Sequence, residues 1–164
     1  MKLRLSLYPC VVVLAALLAP GALAQKGPQK EPLPFEPMEF AAGEVCPFAV
    51  KIESVANKEM TKTLPNGRQV INGRLTLRVT NLDANRSMVV NASGPGTITE
   101  LENDRIRMVF RGRNLLWSFE RDVTGAGLFL TTGRVVGVLD LGTDTVVSHQ
   151  HKGRATDLCA RLAA

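Results

Sequence analysis

The chain is poor in the residues from which reactive centres are usually built. Its 164 residues include only 3 cysteines and 2 histidines. There is no Cys-X-X-Cys pair, which excludes a thioredoxin-like redox motif, and no Gly-X-Ser-X-Gly elbow of the kind that presents a hydrolase serine. After residue 24 no apolar run approaches the roughly 20 residues that a membrane-spanning helix requires. Long runs of one charge sign are also missing, and the formal net charge of +5 is mild. The few aromatic residues occupy core-type positions instead of alternating with basic ones, so no stacking platform for nucleic acid is expected.

The N-terminus has the parts of a secretion signal in order. Lys2 and Arg4 form a charged start, Leu5 to Leu18 is apolar, and Ala22-Leu23-Ala24 supplies small residues for cleavage. The expected signal peptide is residues 1–24, with cleavage after Ala24 and a secreted, extracellular product beginning at Gln25. Cys10 leaves with the signal. The two cysteines that remain, Cys46 and Cys159, are expected to form a disulfide, because an exported protein meets an oxidising compartment. Residues 25–43 mix Pro28, Pro32, Pro34 and Pro37 with Lys30, Glu31, Glu36 and Glu39, which predicts a disordered, solvated leader. Within it, Phe35 and Phe40 are candidates for a docking peptide.

Residues 44–164 read as a single β domain. Phe48, Val50 and Ile52 alternate with Ala49, Lys51 and Glu53, as half-buried strands do. Leu75, Leu77 and Val79 repeat the pattern, as do Ile106, Met108 and Phe110 between arginines. Weaker strands are predicted over residues 88–92, 97–101, 115–119, 128–132, 134–141 and 146–152, separated by Gly and Asn turn signals. The only helical stretch is Ala155 to Leu162, with Thr156 as its predicted cap. The predicted fold is all-β: an antiparallel meander closed as a small β-barrel, with a β-sandwich as the alternative, and a short C-terminal helix.

Candidate chemistry is sparse. His149 and His151 lie two apart on a predicted strand and share a face, with Asp140 or Asp144 the nearest further metal ligands. A His-X-His on an exposed strand end beside Lys152 is more often simply solvated, and no metal or cofactor is expected. Glu100, Glu102 and Asp104 precede the strand carrying Arg105, Arg107, Arg111 and Arg113, which predicts a cross-strand charge ladder and not a pair of catalytic carboxylates. Ser93-Gly94-Pro95-Gly96 is turn chemistry. Phe110, Trp117, Phe119 and Phe129 are candidates for an interior that either packs solid or takes an apolar molecule.

The runs Cys46-Pro47-Phe48-Ala49-Val50, Leu64-Pro65-Asn66-Gly67-Arg68, Val79-Thr80-Asn81-Leu82, Ser93-Gly94-Pro95-Gly96, Leu128-Phe129-Leu130-Thr131-Thr132-Gly133-Arg134 and Asp157-Leu158-Cys159 span residues 44–162. Together they resemble small secreted proteins of actinobacteria. The resemblance implies an exported, disulfide-bonded β domain of the cell envelope or the medium, and it transfers no catalytic residue. The strand Thr132-Gly133-Arg134-Val135-Val136-Gly137 is also similar to one in dirigent-like and allene-oxide-cyclase-like barrels, which implies the barrel shape.

With strong strand patterning and few reactive groups, the expected function is that of a non-catalytic binding or envelope-associated module. Its partner would be a small apolar molecule, an envelope component or another protein. The alternative is a barrel-type cyclase or isomerase that acts on a small apolar substrate mainly through shape.

Overall fold

The structure, a computed structural model, describes residues 30–164. The expected signal peptide, its cleavage site and residues 25–29 lie outside the described residues. What is described is all-β with one short helix, and every strand pairing is antiparallel. No described helix is long and apolar enough to cross a membrane.

The strands form two sheets, and neither closes into a barrel, so the barrel expectation is corrected. The smaller sheet runs in the order β2 (Met38–Phe40), β3 (Val50–Asn57), β6 (Leu75–Asn81) and β7 (Arg86–Asn91). The larger sheet begins at β1 (Lys30–Pro32) and continues through β4 (Met60–Thr63), β5 (Gln69–Asn72), β8 (Gly96–Leu101) and β9 (Arg105–Arg111). It then reaches β11 (Gly127–Asp140), which also pairs with β10 (Asn114–Ser118) and β12 (Thr145–Asp157).

Alternation explains the core. Val50 and Ile52 of β3 and Leu77 and Val79 of β6 are at most 1% exposed, and they share one cluster with Leu115 of β10 and Leu128 of β11. Helix α1 (Leu158–Ala163) adds Leu158 and Leu162 to the same cluster. A Cys46–Cys159 disulfide joins it to the segment before β3, with Cα atoms 5.4 Å apart and a sequence separation of 113. Closing so long a loop restricts the unfolded chain by about 4 to 5 kcal/mol on the entropic model. The helix cap is Asp157, whose carboxylate accepts from the Ala160 N–H at 3.0 Å, and not Thr156. Thr156 is still paired with Leu130 in the sheet, so the backbone is free to turn helical only after Asp157.

The leader is a second correction. Residues 30–43, expected to be a solvated tether, contain β1 and β2 and are docked at both ends. β1 adds to the edge of the larger sheet through β4, while β2 pairs with β3 of the smaller one. Apolar residues override the proline content: Leu33, Phe35, Met38 and Phe40 are all half-buried, and Phe35, Met38 and Phe40 pack on the core. Pro32 is tolerated because it sits on an edge strand, where a missing N–H costs no ladder bond. Strands β4 and β5, which flank the Asn66-Gly67 turn, lack strong hydrophobic alternation and are found only in the structure.

The segments 128–132 and 134–141 are not two strands but parts of the single long β11. β9 and β10 lie in line along one of its edges, with Arg111 opposite Arg134 and Asn114 opposite Thr131, while β12 follows the other edge. At the junction the Gly112 N–H donates to the Gly133 carbonyl at 2.8 Å, and Gly133 is paired with Gly153. All three glycines have positive φ, of 71°, 96° and 150°. A Cβ on Gly133 would overlap the Lys152 carbonyl oxygen, and one on Gly153 would overlap the Thr132 carbonyl oxygen. The three glycines thus lie on one line across the sheet, an elbow at which the backbones of β11 and β12 leave no room for a side chain.

Gly133→Ala and Gly153→Ala are each expected to destabilise the fold by about 2 kcal/mol or more in urea unfolding. Gly142→Ala, at a turn where φ is not positive and a Cβ meets only Asp140 Oδ1 at 3.4 Å, should fall within about 0.5 kcal/mol of the parent.

Candidate functional site

The elbow has a hollow side. Strand alternation sends Met108 and Phe110 of β9, Val135 and Gly137 of β11, and His149 and His151 of β12 to one face, where they line a cavity of about 320 Å³. A larger cavity of about 450 Å³ adjoins it, and Met108, Phe110, Leu116, Trp117 and Val146 belong to the walls of both. The larger one also borders Leu75, Leu77 and Ala92, so it reaches to the smaller sheet. The segment between β1 and β2 passes beside it, contributing Leu33 and Phe35. That strap is fixed by the Leu33 N–H donating to the Glu59 carbonyl at 3.0 Å and by Asn57 Nδ2 donating to the Leu33 carbonyl at 2.8 Å.

All four aromatic residues singled out from the sequence meet here. Phe110 and Trp117 line both cavities, Phe119 the larger and Phe129 the smaller. They are half-buried, so the expected packed interior is here a lined cleft. Phe40 stacks against Trp117 and Phe119 with ring centroids 6.1 and 5.9 Å apart, so it is used inside the domain and not as a free docking residue. Phe35, the other docking candidate, is a cavity wall. Phe119 is also held from outside: Arg121 lies 4.5 Å over its ring and pairs with Asp144 at 2.7 Å.

Most polar groups at the walls are already satisfied. Asp122, 8% exposed, accepts from the Phe119 N–H at 2.7 Å and the Val146 N–H at 2.8 Å, tying the loop after β10 to the start of β12. Asn114 Nδ2 donates to the Arg111 carbonyl at 3.0 Å, closing the elbow from within. Ser93, in the turn before β8, is occupied by the backbone of Leu75, from whose N–H it accepts at 2.9 Å and to whose carbonyl it donates at 3.1 Å.

Two groups differ. Burial raises the Glu59 carboxyl above its ordinary 4.5, and this group faces the larger cavity. Burial, and then the charge of His151, lower the His149 imidazole below its ordinary 6.5. His151 Nε2 lies 3.0 Å from the Thr132 carbonyl, beside the elbow.

The histidines share a face as expected, but the acids considered with them are engaged elsewhere. Asp140 pairs with Arg105 at 3.1 Å, which holds its carboxyl below the usual value, and Asp144 pairs with Arg121. Among the described residues no group of three His, Cys, Asp or Glu side chains is placed to hold a metal ion. The charge ladder is corrected as well. Glu100 stands opposite Ile106 and Thr99 opposite Arg107, so register keeps the acids of β8 away from the arginines of β9. Leu33, Met108 and Leu116 are wall residues that the sequence did not single out as ligand candidates. For Met108 the signal was present as alternation, while Leu33 lay hidden in the proline-rich leader.

Glu59 yields a pH prediction. A carboxyl whose folded value is raised favours the folded state when protonated, and that contribution is lost as pH rises through and above 4.5. Glu59→Gln should therefore be more stable than the parent at neutral pH and should lose less stability across that rise, as read by urea unfolding at a series of pH values. Compared with family models, with curated proteins and with solved structures, the chain matches none of them.

Proposed function

We propose that this protein is an exported, non-catalytic binding module whose elbow cleft takes a small apolar molecule. The observation that carries this reading is the pair of adjoining cavities, about 450 and 320 Å³, with five wall residues in common. Each lies in the size range of small-molecule pockets, and the shared walls are aromatic or aliphatic. Removing apolar ligand surface from water at such walls supplies the driving force. Specificity then rests on the few polar groups that reach the cleft, chiefly Glu59 at one cavity and His149 at the other.

The distribution of those groups favours binding over catalysis. A cyclase or isomerase that moves protons needs an acid and a base converging on its substrate. Here the desolvated carboxyl and the imidazole pair line different cavities, and Asp122 and Ser93 are committed to backbone groups. Export agrees with the N-terminal signal pattern and with the Cys46–Cys159 bond.

Trp117, the only tryptophan of the chain, touches both cavities and serves as an internal reporter. Titration with the apolar dye ANS is expected to change its emission saturably. Gly137→Val tests the site directly. A Cβ at Gly137 meets Met108 Cε and the Ser148 carbonyl oxygen at an ordinary 3.7 Å, so a side chain can start there and take up part of the smaller cavity. The variant should fold, and dye affinity should fall about tenfold. Unchanged dye binding in a folded Gly137→Val protein would contradict the proposal.

A further inference from the structure

The outer side of the elbow carries the opposite chemistry. Arg111 of β9, Arg134 of β11 and Lys152 of β12 are directly opposed in register, forming one row across three neighbouring strands. Their sequence neighbours Phe110, Val135 and His151 line the cleft, so alternation points the three cations away from it. All three are exposed, and cross-strand neighbours of this kind stand about 5 Å apart. Arg113 and Arg154 lie two positions further along β9–β10 and β12, beyond the glycine bend, and both are exposed.

This register works against stability. Like charges directly opposite one another on a sheet destabilise it, and opposite charges there stabilise it. The same molecule uses the favourable arrangement elsewhere. Glu39 opposes Lys51 at 3.6 Å and Glu53 opposes Arg78 at 3.2 Å in the smaller sheet, and Arg105 opposes Asp140 at the far end of the larger one. Among the described residues none of Arg111, Arg113, Arg134, Lys152 and Arg154 takes part in an ion pair. On the β8 side Arg111 meets Pro95, to whose carbonyl its N–H donates at 3.0 Å, and Glu100, the one acid of β8, stands opposite Ile106.

We propose that this row is a docking surface for an acidic polysaccharide. Guanidinium groups hold carboxylate and sulfate oxygens through paired hydrogen bonds, and a linear chain of such groups matches a line of cations on a flat sheet. The face has no aromatic residue on which bases would stack, which disfavours single-stranded nucleic acid. None of the exposed large hydrophobic residues, such as Leu82, Val89, Val123 or Leu141, neighbours the row in sequence, which disfavours insertion into a membrane surface. The surface is separate from the cleft and does not depend on a ligand there.

The test is fluorescence anisotropy with a labelled heparin oligosaccharide, using the full exported protein. The parent should bind at low salt, weaken as ionic strength rises, and ignore neutral dextran. Arg134→Glu places an acid between two cations, so it should weaken binding about tenfold or more while raising the thermal midpoint. Arg86→Glu makes the same charge change on the smaller sheet and should leave affinity within about twofold of the parent. If Arg134→Glu does not fold, the double change Arg111→Gln with Lys152→Gln should show the same loss of binding. Equal weakening by Arg86→Glu, no binding by the parent, or tighter binding to single-stranded DNA or to anionic phosphatidylglycerol vesicles than to heparin would each overturn the proposal.

Discussion

The close approach of two glycine backbones governs the architecture. Where Gly133 and Gly153 face one another, β11 and β12 draw together to a distance that leaves no space for a Cβ on either strand. Gly112, in the break between β9 and β10, is bonded to Gly133 on the other edge, so the line of glycines crosses from one edge of β11 to the other. On one side of it the sheet presents Leu115 and Leu128 to the common core; on the other it presents Val135 and Gly137 to an open cleft. The disulfide and helix α1 then secure the core half of the elbow, while the strap through Leu33 and Phe35 borders the cleft half.

Much of this was legible in the sequence, because alternation and turn chemistry are local. The strands carrying Val50 and Ile52, Leu77 and Val79, and Met108 and Phe110 all follow from period two, and Cys46 and Cys159 pair as expected. What escaped was decided by partners distant in the chain. The leader reads as a tether because its prolines are interspersed with charged residues, yet Phe35, Met38 and Phe40 find a surface that only the folded domain supplies. Gly133 reads as a strand boundary because an isolated glycine usually interrupts a run. Its role as an elbow depends on Gly112 and Gly153 falling beside it, and that is a matter of register. Register likewise undid the charge ladder: the acids and arginines are adjacent in sequence but offset across β8 and β9.

The candidate site was legible to a similar degree. Phe110, Trp117, Phe119 and Phe129 were identifiable as interior aromatics, but composition does not distinguish a filled interior from a lined one. The distinction lies in the placement of the strands around these rings, which leaves them half-buried along a cleft. The pair His149 and His151 follows the same logic. A shared face was predictable from spacing alone, whereas the engagement of Asp140 with Arg105 and of Asp144 with Arg121 was not.

The two faces of the elbow suggest a division of labour, with apolar chemistry inside and cationic chemistry outside, both set by the alternation of the same three strands. The central claim is that the hollow side holds a small apolar molecule. Its most direct test is native mass spectrometry of the protein purified from its natural source. The account predicts a non-covalent small-molecule adduct that organic solvent releases and extraction recovers as an apolar compound; the bare polypeptide mass alone, before and after extraction, would contradict it.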